Sequence, residues 1–213
     1  MVRLWCVLIG YLFGNFQTAY IIGKMKGIDI REHGSGNAGT TNTFRVLGTK
    51  AGILVFVGDM VKSIIAVNIV RYTFAAANPQ IFELLLIYTG LGCVLGHNFP
   101  FYLKFRGGKG IATTGGMIIA FHWYFIPIDL VLFFGTFLIT HYASLGSLLL
   151  YLGFFVQLII CGCIGCFTMS QGALIEMYIV VLLMTILAFY KHRGNIVRLI
   201  KGEERKTYLR RKK

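Results

Sequence analysis

At 213 residues, 56% hydrophobic and only 14% charged, the chain has too little polar surface to cover a water-soluble domain of its size. A mean hydropathy of +0.72 points the same way, to lipid as solvent and one domain over 1–213. The formal net charge of +13 would suggest nucleic acid in a soluble protein, but every Lys and Arg except Arg3, Lys62 and Arg71 falls in 24–50, 104–109 or 191–213. No aromatic-studded basic groove accompanies them, so no nucleic-acid partner is expected and the positive-inside rule explains the pattern better.

A helix needs about 20 residues to cross the hydrocarbon core. Residues 4–23 supply the first crossing. The stretch Leu4–Phe13 lacks the basic start and A-x-A site of a cleaved signal, so it reads as a retained helix. The basic segments 24–50 and 97–110 share a side, so an even number of crossings lies between them. Residues 51–71 and 81–99 provide two, with Ala77-Asn78-Pro79 as the outer turn. The tail is basic too, so 111–190 must also be crossed an even number of times. Spans at 111–123, 125–140, 145–166 and 172–190 fit tightly. The first two of these are short, and a tilted or re-entrant pair keeps the parity, whereas one long span would place the basic tail outside. His122-Trp123-Tyr124 near Pro127 reads as an interfacial turn and favours the pair. The expected fold is an all-α integral membrane bundle of seven transmembrane helices. Its N-terminus is outside; its C-terminus and a basic tail from about 191 are cytoplasmic. No inverted internal repeat is visible. The five cysteines, Cys6, Cys93, Cys161, Cys163 and Cys166, sit in apolar runs and read as packing residues rather than a disulfide framework or metal cluster.

Four polar segments interrupt these spans. The first, His33–Arg45, holds Gly34, Gly36 and Gly39 beside Ser35, Thr40, Thr41 and Thr43, with Asn37, Asn42 and Arg45. Glycines let backbone N–H groups approach an anion, hydroxyls add donors, and an arginine grips phosphate with two nitrogens. Composition alone leaves a plain connecting loop open. The second, Gly96–Thr113, places Gly107-Gly108-Lys109-Gly110 where a helix begins, a ready anion site. A positive-inside loop anchored by aromatics explains Lys104 and Arg106, but not the glycines around Lys109. The third is Thr140–Ser147 and the fourth Lys191–Glu204; the topology puts all four on one side. Arg210–Lys213 reads as a solvated or headgroup-binding end. Asp59 and Lys62, three apart inside the second span, share a helix face as a buried ion pair or as support for the loops. The eight carboxylates form no metal-ligand spacing with a histidine. No Walker loop, no G-x-S-x-G elbow and no His-x4-Asp motif occurs.

At these loops the sequence closely resembles the PlsY family, the acyl-phosphate:glycerol-3-phosphate acyltransferases of bacterial membranes. The resemblance is carried by G-S-G-N-x-G-x-T-N-x-x-R at 34–45, D-x-x-K at 59–62, G-H-x-F-P…F-x-G-G-K-G-x-A-T at 96–113, Tyr142-x-Ser144-Leu145-x-Ser147, and H-R-x-N-I-x-R-L-x-x-G-x-E at 192–204. Ala38, Thr40 and His141 depart from it, where a bulkier aliphatic residue, alanine and arginine are expected. The resemblance implies acyl transfer from a fatty acyl phosphate to the 1-hydroxyl of sn-glycerol 3-phosphate. The products are lysophosphatidate and inorganic phosphate, in the first step of phospholipid synthesis, with no cofactor and no metal. It implies catalytic roles for Ser35, Arg45 and Lys109. The acyl phosphate falls to Ser35, Gly36, Asn37, Thr41, Asn42, Gly107, Gly108, Lys109 and Gly110. Glycerol 3-phosphate falls to Arg45, Lys109, Ser144, His192 and Asn195, with Asp59, Lys62, His97 and Glu203 in support. The expected setting is the bacterial cytoplasmic (inner) membrane, active site on the cytoplasmic side. Membrane lipid and the upstream enzyme supplying acyl phosphate are the implied partners, and a monomer suffices. A phosphate or organophosphate transporter is the rival reading, but it should bind near the bilayer midplane on broken helices, whereas these clusters gather at one face.

Overall fold

The computed structural model describes residues 1–208, so the Arg210–Lys213 run lies outside it. Among the described residues the chain is helical throughout, without strands. In order come α1 (Val2–Gly14), α2 (Thr18–Met25), α3 (Thr40–Leu47), α4 (Thr49–Val70), α5 (Phe82–Asn98), α6 (Ile111–Phe121), α7 (Ile126–Leu130), α8 (Thr136–Thr140), α9 (Ala143–Cys163), α10 (Gln171–Lys191) and α11 (Arg193–Ile200). Among the described residues, six segments are long and apolar enough to cross a membrane: Val2–Met25, Thr49–Ala75, Pro79–Leu103, Trp123–Thr140, Ala143–Cys163 and Gln171–Lys191. The expected fourth span, 111–123, is α6, an apolar helix of only 11 residues and not among these six. At 1.5 Å per residue it reaches about 16 Å, roughly half the hydrocarbon thickness. The outward faces of the long helices are apolar at helical spacing, as with exposed Leu54, Val57, Val61 and Ile65 on α4 and Ile175, Ile179, Leu182 and Ile186 on α10. Stripes of this size mark lipid contact.

Helices in lipid gain little from hydrophobic burial and associate by close backbone approach at small residues. α1 and α5 meet in this way. A Cβ added to Gly10 or Gly14 would stand 2.1 or 2.2 Å from the carbonyl oxygens of Thr89 or Cys93. Reciprocally, Gly92 and Gly96 lie against the carbonyls of Val7 and Tyr11. The paired small-x-x-x-small steps let these backbones touch.

The first span breaks at Asn15–Gln17, freeing carbonyls inside the bundle. A broken helix survives in lipid only if those groups are satisfied internally. Lys62 on α4 does this, donating from Nζ to Phe16 O at 2.7 Å, Gly14 O at 3.3 Å and Asp59 Oδ1 at 2.9 Å. Buried Gln17 adds bonds from Nε2 to the carbonyls of Gly14, Gly96 and His97.

The bundle has two unlike ends. At one, Arg3 forks onto Glu176 at 2.6 and 2.8 Å, joined by the Tyr88 hydroxyl. There too Arg71 donates to the carbonyls of Ala120 and Phe121, and His122 packs on Phe167. The other end gathers the loops after α2, α5, α8 and α10 around a cavity. The chain leaves that cavity at Ile111, runs out along α6 and returns to it along Trp123–Thr140. That return leg is assembled from a 3-10 turn, α7, a π-helical stretch over Val131–Gly135 and α8.

Candidate active site

The cavity holds about 870 Å³. Four helices present their N-termini to it: α3 at Gly39–Thr41, α6 at Gly110–Ala112, α9 at Ala143–Ser144 and α11 at Arg193–Asn195. Each carries unspent N–H donors and the positive end of a helix dipole. Arg45, Lys109, Lys191, Arg193, Arg198 and Arg205 line the same space, against the carboxylates of Asp59 and Glu204. Its other wall is Ile53, Phe56, Phe133, Phe134 and Phe137, with the Phe56 and Phe134 rings edge-to-face at 6.3 Å. A smaller apolar pocket continues from that wall along α4, α6 and α7.

Asn42 shapes the glycine loop. From the first turn of α3 its Nδ2 donates to the carbonyls of Ile30 and His33, and its Oδ1 accepts from Ser35 N–H at 2.8 Å. Gly34 sits over this amide at φ 64°, where a Cβ would come within 2.3 Å of Asn42 Oδ1. With both amide protons engaged, Asn42 holds the loop, while Ser35, Gly36, Asn37 and Thr41 face the cavity. The loop is moored to the second polar segment by Arg31, which donates from Nη1 to Leu103 O at 3.2 Å. Arg31 itself is held by Asp29 at 2.7 Å, and its bonds keep that carboxyl down at about 2.

Lys109, one residue before the Gly110 cap of α6, donates from Nζ to Asn195 Oδ1. Asn195 Nδ2 donates to Glu204 Oε1 at 2.6 Å, and Ser144 Oγ reaches the same oxygen at 2.9 Å. Arg198 Nε donates to Glu204 Oε2 at 2.8 Å. Burial lifts the Glu204 carboxyl, but the bonds from Asn195, Ser144 and Arg198 outweigh it and hold the group below its usual range. Burial pulls the Lys109 ammonium down to about 8, with Arg198, Lys191 and Arg45 adding to the fall and Glu204 opposing it. Arg45 is likewise lowered by burial. His192, 2% exposed, is pushed down to about 4 by burial and by Lys109. Its Nδ1 lies 2.8 Å from Ala188 O, a partner that only accepts, so Nδ1 carries the proton and Nε2 offers a lone pair. His97 is held the other way. Its Nδ1 faces the Lys62 ammonium at 2.9 Å, which only donates, so Nε2–H is the free donor.

The structure therefore brings together Ser35, Gly36, Asn37, Thr41, Asn42, Arg45, Asp59, His97, Lys109, Gly110, Ser144, His192 and Asn195 around one cavity. It leaves out Gly107 and Gly108, whose N–H groups donate to the carbonyls of Asn98 and His97 and whose missing Cβ atoms make room for that contact. Lys62 stands behind the wall at the helix break. Glu203 is exposed, and its neighbour Glu204 occupies the site. Sequence reasoning passed over Glu204, although the motif at 192–204 ends on it. It also passed over Arg198, Lys191, Arg205 and Thr207. Thr40, where the resemblance calls for alanine, lines the cavity as well.

A family model described as glycerol-3-phosphate acyltransferase matches residues 4–202. The chain belongs to this family. Among curated members, the glycerol-3-phosphate acyltransferase of Clostridioides difficile (strain 630) is 41% identical over 203 residues, covering 93% of this chain and 92% of that one. That of Bacillus subtilis (strain 168) is 38% identical over 206 residues, covering 94% and 95%. Two solved structures of the family share the fold, both crystal structures of PlsY (YgiH), an integral membrane glycerol 3-phosphate acyltransferase. The glycerol 3-phosphate form superposes with a TM-score of 0.83 at 34% identity, over 98% of this chain and 96% of that one. The lysophosphatidic acid form gives 0.80 at 33% identity, over 98% and 97%. These relatives give the transporter reading no support.

Proposed function

We propose that the chain transfers a fatty acyl group from an acyl phosphate to the 1-hydroxyl of sn-glycerol 3-phosphate, releasing lysophosphatidate and inorganic phosphate. The observation that carries this is one cavity with two halves: cations and helix N-termini on one side, aromatic and aliphatic side chains on the other. The first half suits two phosphates; the second leads a fatty chain toward lipid. The names of the relatives support glycerol 3-phosphate as acceptor, and the resemblance to PlsY supports acyl phosphate as donor.

In this reading Ser35, Gly36, Asn37 and Thr41 donate to the acyl phosphate, and Gly110 admits it to the N-terminus of α6. Arg45 and Lys109 hold phosphate oxygens and offset charge developing on the tetrahedral intermediate. Ser144, His192 and Asn195 orient glycerol 3-phosphate, with Glu204 bracing Ser144 and Asn195. The 1-hydroxyl oxygen attacks the acyl carbon and the carbon–oxygen bond to phosphate breaks. The departing phosphate takes the hydroxyl proton. His192 Nε2 accepts the hydroxyl's hydrogen bond during the approach, but a group held near 4 is a poor final proton acceptor at neutral pH.

The basic loops favour a cytoplasmic site in the bacterial inner membrane, with the N-terminus outside. Seven crossings follow if α6 and Trp123–Thr140 act as an out-and-back pair, with α6 tilted or re-entrant. One chain supplies the whole cavity, so a monomer in a single domain suffices; acyl phosphate comes from an upstream enzyme. Uptake by proteoliposomes, set against acyl transfer in detergent, tests the class. Lysophosphatidate formed in detergent supports the enzyme. Counterflow of glycerol 3-phosphate without acyl transfer would overturn it.

A further inference from the structure

The chain does not leave the molecule after residue 202, where the family match ends. Thr207 is 7% exposed, and its N–H donates to His141 O at 2.9 Å. The Tyr208 ring lies 4.6 Å from the His141 ring, and Lys206 stands over Tyr142 at 5.9 Å. Residues 204–208 are thus laid across the α8–α9 junction. His141, which receives this backbone bond, holds a left-handed φ of 61°, a conformation a side-chain-bearing residue keeps only when its surroundings hold it there. On the inner side of the segment, Arg45 Nη2 donates to Thr207 Oγ1 at 2.6 Å and to Arg205 O at 3.2 Å. Both bonds use one terminal nitrogen and leave the rest of the fork for an anion.

A guanidinium on a flexible stem binds an oxyanion best when its position is set beforehand, because less freedom is lost on binding. We infer that residues 204–208 are a strap that presets Arg45, with Thr207 as its positioning residue for the phosphate of glycerol 3-phosphate. The ligand rests on the proposed function; the strap itself rests on the Arg45, Thr207 and His141 contacts.

The test uses the full chain in detergent, with calorimetric titration of glycerol 3-phosphate and of inorganic phosphate, and glycerol as control. Thr207→Val keeps the shape and removes the hydroxyl. It should weaken both anions about tenfold, the worth of one hydrogen bond to a charged group, and raise KM for glycerol 3-phosphate by a larger factor than it lowers kcat. Thr207→Ser should restore both to within about twofold. Tyr208→Ala, at the exposed end of the strap, should give a milder shift in the same direction and serves if the valine variant folds poorly. Wild-type or tighter binding by Thr207→Val, or a serine variant as weak as the valine one, would overturn the strap. A wild-type chain that binds phosphate but transfers no acyl group would sink the reaction and leave the strap standing, since the titration needs no turnover.

Discussion

Lys109 joins loop, helix and tail. It precedes the N-terminus of α6, bonds Asn195 at the start of α11, and through it reaches Glu204. Its ammonium is lowered to about 8, so it is charged below that value and neutral above it. Phosphate binding should therefore be full near pH 7 and fade as pH rises through about 8. KM for glycerol 3-phosphate measured from pH 6.5 to about 9.5 should climb on the alkaline side. Lys109→Arg, charged throughout, should flatten the climb while lowering kcat, because a planar fork cannot replace a point charge there. His192 tests the proton's destination. If the donor phosphate takes it, His192→Gln should lower kcat by less than about 100-fold, the lower bound for a lost general base. A larger loss in a folded variant would make the imidazole the base. The candidate residues were legible in sequence where glycines, hydroxyls and cations cluster. They were not legible where role depends on orientation. Gly107 and Gly108 look like an anion cradle, yet their N–H groups are used by Asn98 and His97. Glu203 and Glu204 are adjacent acids in an irregular tail, and no periodicity says which one turns inward.

The elements follow from apolar length and from small residues. The runs 51–71, 81–99, 145–166 and 172–190 were readable because a helix hydrophobic on most sides has no other solvent than lipid. The break at Asn15–Gln17 was not, because no proline marks it, Gly14 beside it doubles as a packing residue against α5, and its repair comes from Lys62 on α4. That contact explains why a lysine lies so deep in a membrane helix. The short α6 was legible as the short run 111–123; its end at Phe121 is held by Arg71, which donates to the carbonyls of Ala120 and Phe121. The α1–α5 contact is the element most open to test. Gly92→Val would drive a side chain into Val7 O, since even its Cβ would stand 2.2 Å away. Overpacking of this kind costs about 1–3 kcal/mol, so the thermal midpoint in detergent should fall by several degrees. Gly115→Ala on α6 meets nothing within 4 Å and should leave the midpoint close to wild type.

At the scale of the whole molecule, charge and chemistry lie at one end and structural clamps at the other. The loops were expected to share a face from the positive-inside rule and the even span counts it requires, and the structure gathers them around one cavity. How the face closes could not be read from the sequence. Arg45 and Thr207 are 162 positions apart, and the bond between them has no local signature. The two-sided cavity makes donor choice the central issue: a phosphate leaving group can be held by the cations that bind it, so an acyl phosphate needs neither covalent nucleophile nor metal. The most direct measurement is incubation of purified protein with palmitoyl phosphate and glycerol 3-phosphate, counting lysophosphatidate and inorganic phosphate together, with palmitoyl-CoA as the control donor. Equal amounts of the two products, and none from the thioester, is the predicted result. Phosphate release without lysophosphatidate, or equal use of the thioester, would contradict it.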